Sequence, residues 1–245
     1  MKYAHHIDPN TGLNNLGHIP IWLDTKFTGL YRNTQLISIG LVTASGASFY
    51  AEFTDYDLKD IDVERDQWLQ DNVLSGLLTP HATEFSTNIT HSVSAIRRMN
   101  ESSMVPHVYC IGDHKYIKGQ LSKWMQEEFD RYTTNANSSI KFQFYCDCYA
   151  YDWMLFNNLF TENSIATRLP NYIYYIPFDL CTEMQTNGID PDISREEFIG
   201  QNIMNSIKNH PTMKFGSNTV VKHNALIDTL VARMCTLKIQ TMNHQ

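Results

Sequence analysis

Three aspartates and one histidine occupy positions from which metal-dependent chemistry could be assembled. Asp24 ends the first apolar run of the chain, and Asp152 follows a strand-like segment in mid-chain. His223 and Asp228 open a segment with helical spacing near the end of the sequence. Hard divalent cations take oxygen ligands, so carboxylates from distant parts of a chain must converge to bind them. Such chemistry requires a fold that brings residues 24, 152 and 228 into one pocket.

Each of these residues also has an ordinary structural interpretation. Asp24 could cap the turn that leads to Gly29, and Asp152 could be the N-cap of the helix that follows it. His223 and Asp228 could be solvated side chains on the surface of a helix. Taken singly these roles are the commoner ones, whereas four such residues in this order favour a shared site.

Apolar patterns typical of strands account for much of the rest of the chain. They occur at 19–23, 36–42, 48–53, 107–111 and 140–146, with a further strand-like segment at 171–180. The first three are joined by short turns, which indicates an antiparallel meander. The apolar residues of 140–146 alternate with polar ones, so that strand is expected to bury one face.

Helical spacing predicts the remaining elements. They occur at 64–78, about 92–99, 114–129, 151–160, in pieces of 190–214, and at 223–237. Asp113 is expected to cap the helix that follows it. Strands followed by alternating helices and strands favour one mixed α/β sheet with helices on its faces. Residues 1–18, rich in Asn, Gly and His, are expected to form a loose leader, and residues 19–245 a single domain.

Three motifs contain the four residues. They are Asp24-Thr-Lys-Phe-Thr-Gly29, a mid-chain Asp152, and His223-x4-Asp228. In this order they resemble the motifs of the DEDDh 3′–5′ exonucleases, and the chain from about residue 19 to 240 is most similar to the small bacterial and phage exoribonucleases of the exoribonuclease AS type. The resemblance implies an RNase H-like mixed sheet that opens with the antiparallel meander and carries helices on both faces.

The resemblance also implies a site that hydrolyses phosphodiester bonds with two Mg²⁺ or Mn²⁺ ions. Asp24 would bridge both ions, Asp228 would bind the ion on the nucleophile side, and Asp152 would hold the other. His223 would be the general base, because an imidazole with a pKa of about 6.5 accepts a proton near neutral pH.

The substrate implied by the resemblance is the 3′ end of single-stranded RNA or DNA, with RNA slightly favoured. Thr25 and Phe27 lie within the first motif, on either side of Lys26, where related enzymes hold the terminal nucleotide, and both are therefore candidate substrate-binding residues. A homodimer is compatible with this type of enzyme, although no residue pattern demonstrates one.

Lys26 departs from the family pattern, which has a glutamate two residues after the first aspartate. A protonated lysine cannot bind a metal and repels a divalent cation at short range, by an energy on the order of several kcal/mol. Weakened binding of at least one ion is expected. Three explanations stay open: an introduced Glu-to-Lys change that silences the nuclease, a natural non-cutting member, or a lysine that replaces the charge of a metal and leaves some activity.

The composition indicates the broad class of protein but does not identify its function. The chain has 245 residues, 42% of them hydrophobic, which is enough to bury a sizeable core. No apolar run is long enough for a membrane span, and no secretory signal is recognisable, so a cytoplasmic protein is expected. The net charge of −7 is not that of a basic duplex-binding protein.

The five cysteines are expected to be reduced thiols. Cys146 and Cys148, two residues apart, are expected to share a strand face and fill the core, with zinc binding or redox chemistry as the less favoured alternatives.

The sequence thus predicts a metal-dependent 3′–5′ exonuclease whose activity Lys26 has reduced or abolished. The alternative is a catalytically dead protein with the same fold that binds nucleic-acid ends or a protein partner. No Walker-type loop, dinucleotide-binding fingerprint or serine-hydrolase motif occurs. Function has to be decided at the site, since a fold can host many activities.

Overall fold

A computed structural model of the chain describes residues 7–8, 10–57, 67–78, 95–99, 105–133, 140–161, 169–210 and 223–243. These residues form a single mixed sheet of seven strands with helices on both faces, which confirms the predicted fold class. The described part of the leader contacts the domain, since Asn14 is buried and its amide donates to the hydroxyl of Tyr145.

The strand order across the sheet is β4-β5-β3-β2-β1-β6-β7. The strands are β1 (Ile19–Phe27), β2 (Leu36–Thr43), β3 (Ser48–Phe53), β4 (Ala95–Met99), β5 (His107–Gly112), β6 (Phe142–Cys146) and β7 (Phe178–Asp179). The first three pair as the expected antiparallel meander. β5 adds in parallel to β3, and β6 adds in parallel to β1. The carboxyl ends of β1, β3, β5, β6 and β7 therefore lie along one edge of the sheet.

Helices cover the sheet on both sides. They are α1 (Gln67–Asn72), α2 (His114–Thr133), α3 (Tyr149–Thr161), α4 (Leu180–Thr186), α5 (Arg195–Ile199), α6 (Gln201–Lys208) and α7 (Ala225–Met242). Asp113 accepts a hydrogen bond from the amide of Tyr116 and caps α2 as predicted. None of the helices within the described ranges has the length and hydropathy needed to cross a bilayer.

Two separate hydrophobic cores result from the alternation of side chains along the strands. On β1, Ile21 and Leu23 point into the core that contains α2 and α3. Trp22 points to the opposite face and packs in the core that contains α7, where its indole donates to Thr236. The direction of each later side chain on β1 follows from this pattern.

Gly40 allows α7 to approach the sheet directly beside the candidate site. It lies opposite Asp24 on β2, and a Cβ at this position would be 2.5 Å from the carbonyl oxygen of Ala225. The hydroxyl of Thr229 donates to the Gly40 carbonyl at 3.0 Å, which fixes the helix on the strand. Only a residue without a side chain permits this contact, which brings the first turn of α7 to the end of β1.

Several sequence-based expectations of local structure are wrong. The helix expected at about 92–99 is, over its described part, the strand β4, because its backbone pairs with the edge of β5 and tertiary pairing overrides local preference. β6 is buried on both faces rather than one, because it lies between two parallel strands with both faces of the sheet covered. β1 extends beyond Asp24 to Phe27.

Other expectations hold in part. The segment 64–78 contains α1 and a short 3-10 turn, with residues 64–66 outside the described part. The strand expected at 171–180 is reduced to the bridge at Ile173 and the two residues of β7. The end of the expected helical segment, 211–214, also lies outside the described residues. Cys148 is exposed, so its predicted place in the core is wrong: β6 ends at Cys146, and Cys148 has a positive φ of 58°.

The contact at Gly40 can be tested by Gly40→Ala. The added methyl group would overlap backbone atoms that cannot move aside without shifting α7, so the free energy of unfolding should fall by about 1–3 kcal/mol. Urea denaturation measures this change. The matched control is Gly119→Ala on the exposed side of α2, where a Cβ meets nothing within 4 Å. The control should be neutral or stabilising by about 0.5–1 kcal/mol, and equal losses in both variants would contradict the proposed role of Gly40.

Candidate functional site

The carboxyl-terminal half of β1 presents different side chains to the two faces of the sheet. Asp24 and Lys26 continue the series that begins with Trp22 and therefore point toward α7. Thr25 and Phe27 point toward α3 on the other face. Two sets of candidate residues thus come from one strand, and each set meets a different helix.

The Lys26 ammonium lies between two of the candidate metal ligands. Its Nζ is 2.7 Å from Oδ2 of Asp24 and 2.7 Å from Oδ2 of Asp228. Asp228 reaches this point from the first turn of α7, where a carboxylate also interacts favourably with the helix dipole. All three side chains are mostly shielded from solvent, with 14% exposure for Asp24 and Lys26 and 22% for Asp228. The structure therefore brings Asp24 and Asp228 together around an ammonium group.

Asp152 joins the same region from α3, at the open edge of β1. Alternate backbone amides of β1 point toward β6, but β6 ends at Cys146, whose partner on β1 is Leu23. The next amide in the series belongs to Thr25, and it donates to Oδ1 of Asp152 at 3.0 Å. The hydroxyl of Thr25 donates to the same oxygen at 2.6 Å. Asp152 thus takes over the hydrogen bonding of β6 where that strand ends, and it is not the N-cap of α3.

The pKa values of these groups reflect burial and mutual repulsion. Burial raises the pKa of Asp24 well above its usual value, as do the charges of Asp152 and Asp228, while Lys26 opposes the change. Burial likewise raises the pKa of Asp152 to about 7, although its bonds from Thr25 act in the opposite direction. Burial alone would lower the pKa of Lys26, but the two adjacent carboxylates outweigh it and raise the pKa above its normal value. Lys26 is therefore a cation at neutral pH.

His223 lies immediately before Asn224, the N-cap of α7, and has a positive φ of 69°. Its ring packs edge-on against Trp68, with 5.1 Å between the ring centroids. Asn224 is buried, accepts from the amide of Leu226, and donates to the hydroxyl of Tyr50. This network fixes where α7 begins, and the histidine lies just outside the helix, five residues before Asp228. The role of His223 as general base stays a prediction.

An aromatic pair flanks the carboxylates on the α3 side. The ring of Phe27 stacks on Tyr151 with 5.1 Å between centroids and an angle of 14°. Both rings are partly exposed, whereas the predicted substrate residue Thr25 is buried and bonded to Asp152. The pattern of the sequence gave no signal for Tyr151, because only the fold brings it to Phe27.

A polar cavity of about 280 Å³ opens at the same end of the sheet. It is lined by Thr34, Gln35, Leu36, Asp55, His114, Leu155, Asn158 and Leu159. The lining residues come from the loop that follows β1, the start of β2, the segment after β3, the start of α2 and the second half of α3. The cavity therefore shares α3 with Asp152 and lies next to the end of β1.

Asp24, Asp152 and Asp228 do not form a compact set of three metal ligands: within the described residues, the one group of three His, Cys, Asp or Glu side chains with ligand atoms all within 4.8 Å of one another is Asp147, Cys148 and Cys181. Three carboxylates and one ammonium would carry a charge of −2 if all were ionised, but burial raises the pKa values of Asp24 and Asp152 and so reduces this negative charge near neutral pH. Asp24 binds Lys26 through Oδ2, and Asp152 accepts both Thr25 bonds through Oδ1, which leaves one oxygen of each aspartate for a cation. The oxygens of Asp24 and Asp228 that face Lys26 hold an ammonium, so a second ion does not fit beside them while the lysine is in place.

Neither a protein-family model nor a curated protein matches the chain. The resemblance to DEDDh exonucleases therefore rests on the sequence motifs alone and stays a prediction.

Asp152→Asn tests the unfavourable burial of this carboxylate. The folded-state pKa of about 7 lies above the unfolded value of about 4. The folded protein therefore binds the proton of Asp152 more tightly than the unfolded chain does. The contribution of this proton to the free energy of unfolding is fully present below about pH 4 and is lost as the pH rises to about 7. Asparagine keeps the Oδ1 acceptor without a charge, so the variant should match the parent near pH 4 and exceed its free energy of unfolding by roughly a few kcal/mol at pH 8.

Urea denaturation at both pH values, in the presence of a chelator, measures this difference. The exposed Asp192→Asn is the control and should show little change at either pH. If the free energies of unfolding of Asp152→Asn and the parent differed by the same amount at pH 4 and at pH 8, burial would not be destabilising the ionised carboxylate of Asp152.

Proposed function

We propose that this protein is a 3′–5′ exonuclease-type hydrolase of single-stranded nucleic-acid ends in which Lys26 suppresses metal loading and, with it, cleavage. The observation that carries the proposal is the convergence of Asp24, Asp152 and Asp228, which come from distant parts of the sequence, at the end of β1. Buried carboxylates repel one another, so a fold that gathers three of them needs a cation to balance them. In a nuclease that cation is a divalent metal.

Asp24 and Asp152 are the residues that would hold one Mg²⁺ or Mn²⁺ ion. When bound, such an ion neutralises charge on the reacting phosphate and stabilises the leaving oxygen. Lys26 contributes a fixed positive charge at the position where the family pattern has a metal-binding glutamate, and it orients Asp24 and Asp228. In this proposal His223, which directly precedes the N-cap of the helix that carries Asp228, accepts a proton from the attacking water.

The aromatic surface supports a single-stranded substrate. The partly exposed pair of Phe27 and Tyr151 offers a face on which a terminal base can stack, and base stacking on aromatic rings does not require a duplex. The net charge of −7 is unfavourable for extended backbone binding, which favours recognition of an end over a long stretch. We retain RNA as the slightly favoured substrate and the cytoplasm as the proposed location.

A second candidate function is the binding of such ends without cleavage. The specific observation in its favour is that the Lys26 Nζ contacts both Asp24 and Asp228 at 2.7 Å. A site of this kind has an internal cation and does not need a second metal to hold its carboxylates together. A protein with such a site would retain the binding pocket but would not activate a water molecule for hydrolysis.

Metal stoichiometry and activity of Lys26→Glu test the main proposal. The parent should bind one Mn²⁺ ion and Lys26→Glu should bind two, because the change removes an ammonium and adds a ligand. Removing a repulsion of several kcal/mol should raise the rate of release of nucleotides from the 3′ end by about 100-fold or more. Calorimetric titration measures the binding, and 3′- and 5′-labelled RNA and DNA measure the cleavage and its direction.

Two further variants act as controls for that experiment. Lys26→Met removes the charge without adding a ligand and should not gain the second ion. Lys26→Glu combined with Asp228→Asn should lose the activity gained, and Lys26→Glu combined with His223→Ala should lose most of it. An active parent that is unaffected by His223→Ala and Asp228→Asn, or a Lys26→Glu variant that binds two ions and cuts nothing, would refute the hydrolase proposal.

The end-binding candidate predicts a loss of affinity in Lys26→Met. Without the lysine, three carboxylates face the phosphate, so the dissociation constant for a short single-stranded RNA in Mg²⁺ should rise about tenfold or more. Fluorescence anisotropy measures this effect. Lys123→Met on the exposed face of α2 changes the net charge equally and should leave the affinity unchanged. Equal losses in the two variants would mean that binding is not located at this site.

A further inference from the structure

A pair of cysteine thiols lies on the same edge of the sheet, beyond the candidate site. β6 and β7 are parallel neighbours, so the segments that follow them emerge side by side. Cys148 lies in the turn between β6 and α3, and Cys181 is the second residue of α4. The topology thus places two cysteines next to each other that are 33 positions apart in the sequence.

The two sulfur atoms are near enough to form a disulfide after a small movement. The two sulfur atoms are 3.2 Å apart, so they need to approach by only about 1 Å to reach the bond length of about 2.0 Å. Cys148 is exposed and Cys181 is half-buried. The backbone of Cys148 has a positive φ, which is uncommon for a residue with a side chain and turns it out of the line of β6. One thiol is therefore accessible to reagents, and the other lies within reach of it.

The surroundings of the pair oppose a metal site. Asp147 and the two thiols could together supply three ligand atoms. However, Arg195 donates to both oxygens of Asp147, at 2.9 Å from Nε and 2.8 Å from Nη2, and Nη2 is also 3.1 Å from the sulfur of Cys181. The guanidinium is held in place by the backbone carbonyls of Pro191 and Ile193, both at 2.8 Å. A bound divalent cation would have to displace this charge or tolerate its repulsion.

We propose that Cys148 and Cys181 are a redox-sensitive pair that forms a reversible intramolecular disulfide when the protein meets a peroxide. The Cys148 sulfur attacks the peroxide O–O bond, is oxidised to a sulfenic acid, and releases one water from hydrogen peroxide. The Cys181 sulfur then attacks the sulfenic sulfur, the S–O bond breaks, and the oxygen leaves as a second water. Two thiols are oxidised and one peroxide is reduced, and a small-molecule dithiol reverses the change by exchange.

The order of these steps follows from the environments of the two sulfurs. Burial, together with neighbouring Cys148 and Asp147, raises the pKa of Cys181 to about 12, so its thiol is rarely ionised near neutral pH. The exposed Cys148 is therefore the residue that meets the oxidant, and Cys181 resolves the sulfenic acid. The disulfide would join the start of α3 to the start of α4. Asp152 lies in the first turn of α3, so oxidation would restrain the helix that carries a candidate ligand.

The experiment is peroxide titration of the reduced full chain, followed by alkylation and mass spectrometry. The expected result is the loss of two alkylatable thiols and a cross-link between the tryptic peptides 142–168 and 169–195, reversed by dithiothreitol. The oxidised protein should also melt several degrees higher, because the cross-link restricts the unfolded chain. Cys148→Ser and Cys181→Ser should each abolish the cross-link. Cys146→Ala, which changes a buried thiol in the same peptide as Cys148, should retain it.

Other outcomes would overturn the proposal. These are a cross-link that persists in Cys148→Ser, a pairing between two chains, or over-oxidation of Cys148 while Cys181 stays alkylatable. Retention of one Zn²⁺ per reduced chain that is lost in Cys148→Ser would also overturn it in favour of a metal site. The test does not depend on nuclease activity, so it can succeed or fail independently of the proposed function.

Discussion

The ion pairs of Lys26 with Asp24 and Asp228 join the first strand of the protein to its last long helix. Carboxylates gathered in a shielded pocket repel each other, and the lysine supplies the opposing charge from within the same strand. The contact requires α7 to lie against β2 beside Asp24, which the absence of a side chain at Gly40 allows. The position of Asp228 is therefore set by two contacts together: the packing of α7 on Gly40 and the ion pair with Lys26.

The end of β6 is the second feature on which the site depends. A strand that continued past Cys146 would pair with the amide of Thr25 and leave no place for Asp152. Because β6 stops, the chain turns into α3, and a carboxylate replaces the missing strand as acceptor. The exposed hydrogen-bonding edge of β1 is thereby converted into a binding position for an acidic side chain, which explains why a costly buried carboxylate is retained there.

The sequence predicted the strands of the meander well because short apolar runs between turns leave few alternatives, as Ile37, Ile39 and Leu41 illustrate. It predicted β4 wrongly because its pairing with β5 is a tertiary contact that leaves no periodic signal. For the site, the motifs identified the three aspartates that the fold brings together. They did not indicate the position of the Lys26 amine, the bond from Thr25 to Asp152, or the stack of Phe27 on Tyr151, since each of these joins elements remote in sequence.

A lysine in this pocket has a different physical consequence from a glutamate at the same position. With all groups ionised, a glutamate at position 26 would bring the combined charge of residues 24, 26, 152 and 228 to −4. The cluster would then depend on bound cations. Lys26 brings the combined charge to −2 and satisfies two of the carboxylates through hydrogen bonds that need no metal. The lysine therefore makes the fold of the site less dependent on ions, and it offers no metal ligand at position 26. The pocket thus stays assembled without a bound metal, whereas a cluster of four carboxylates would need bound cations to offset their repulsion.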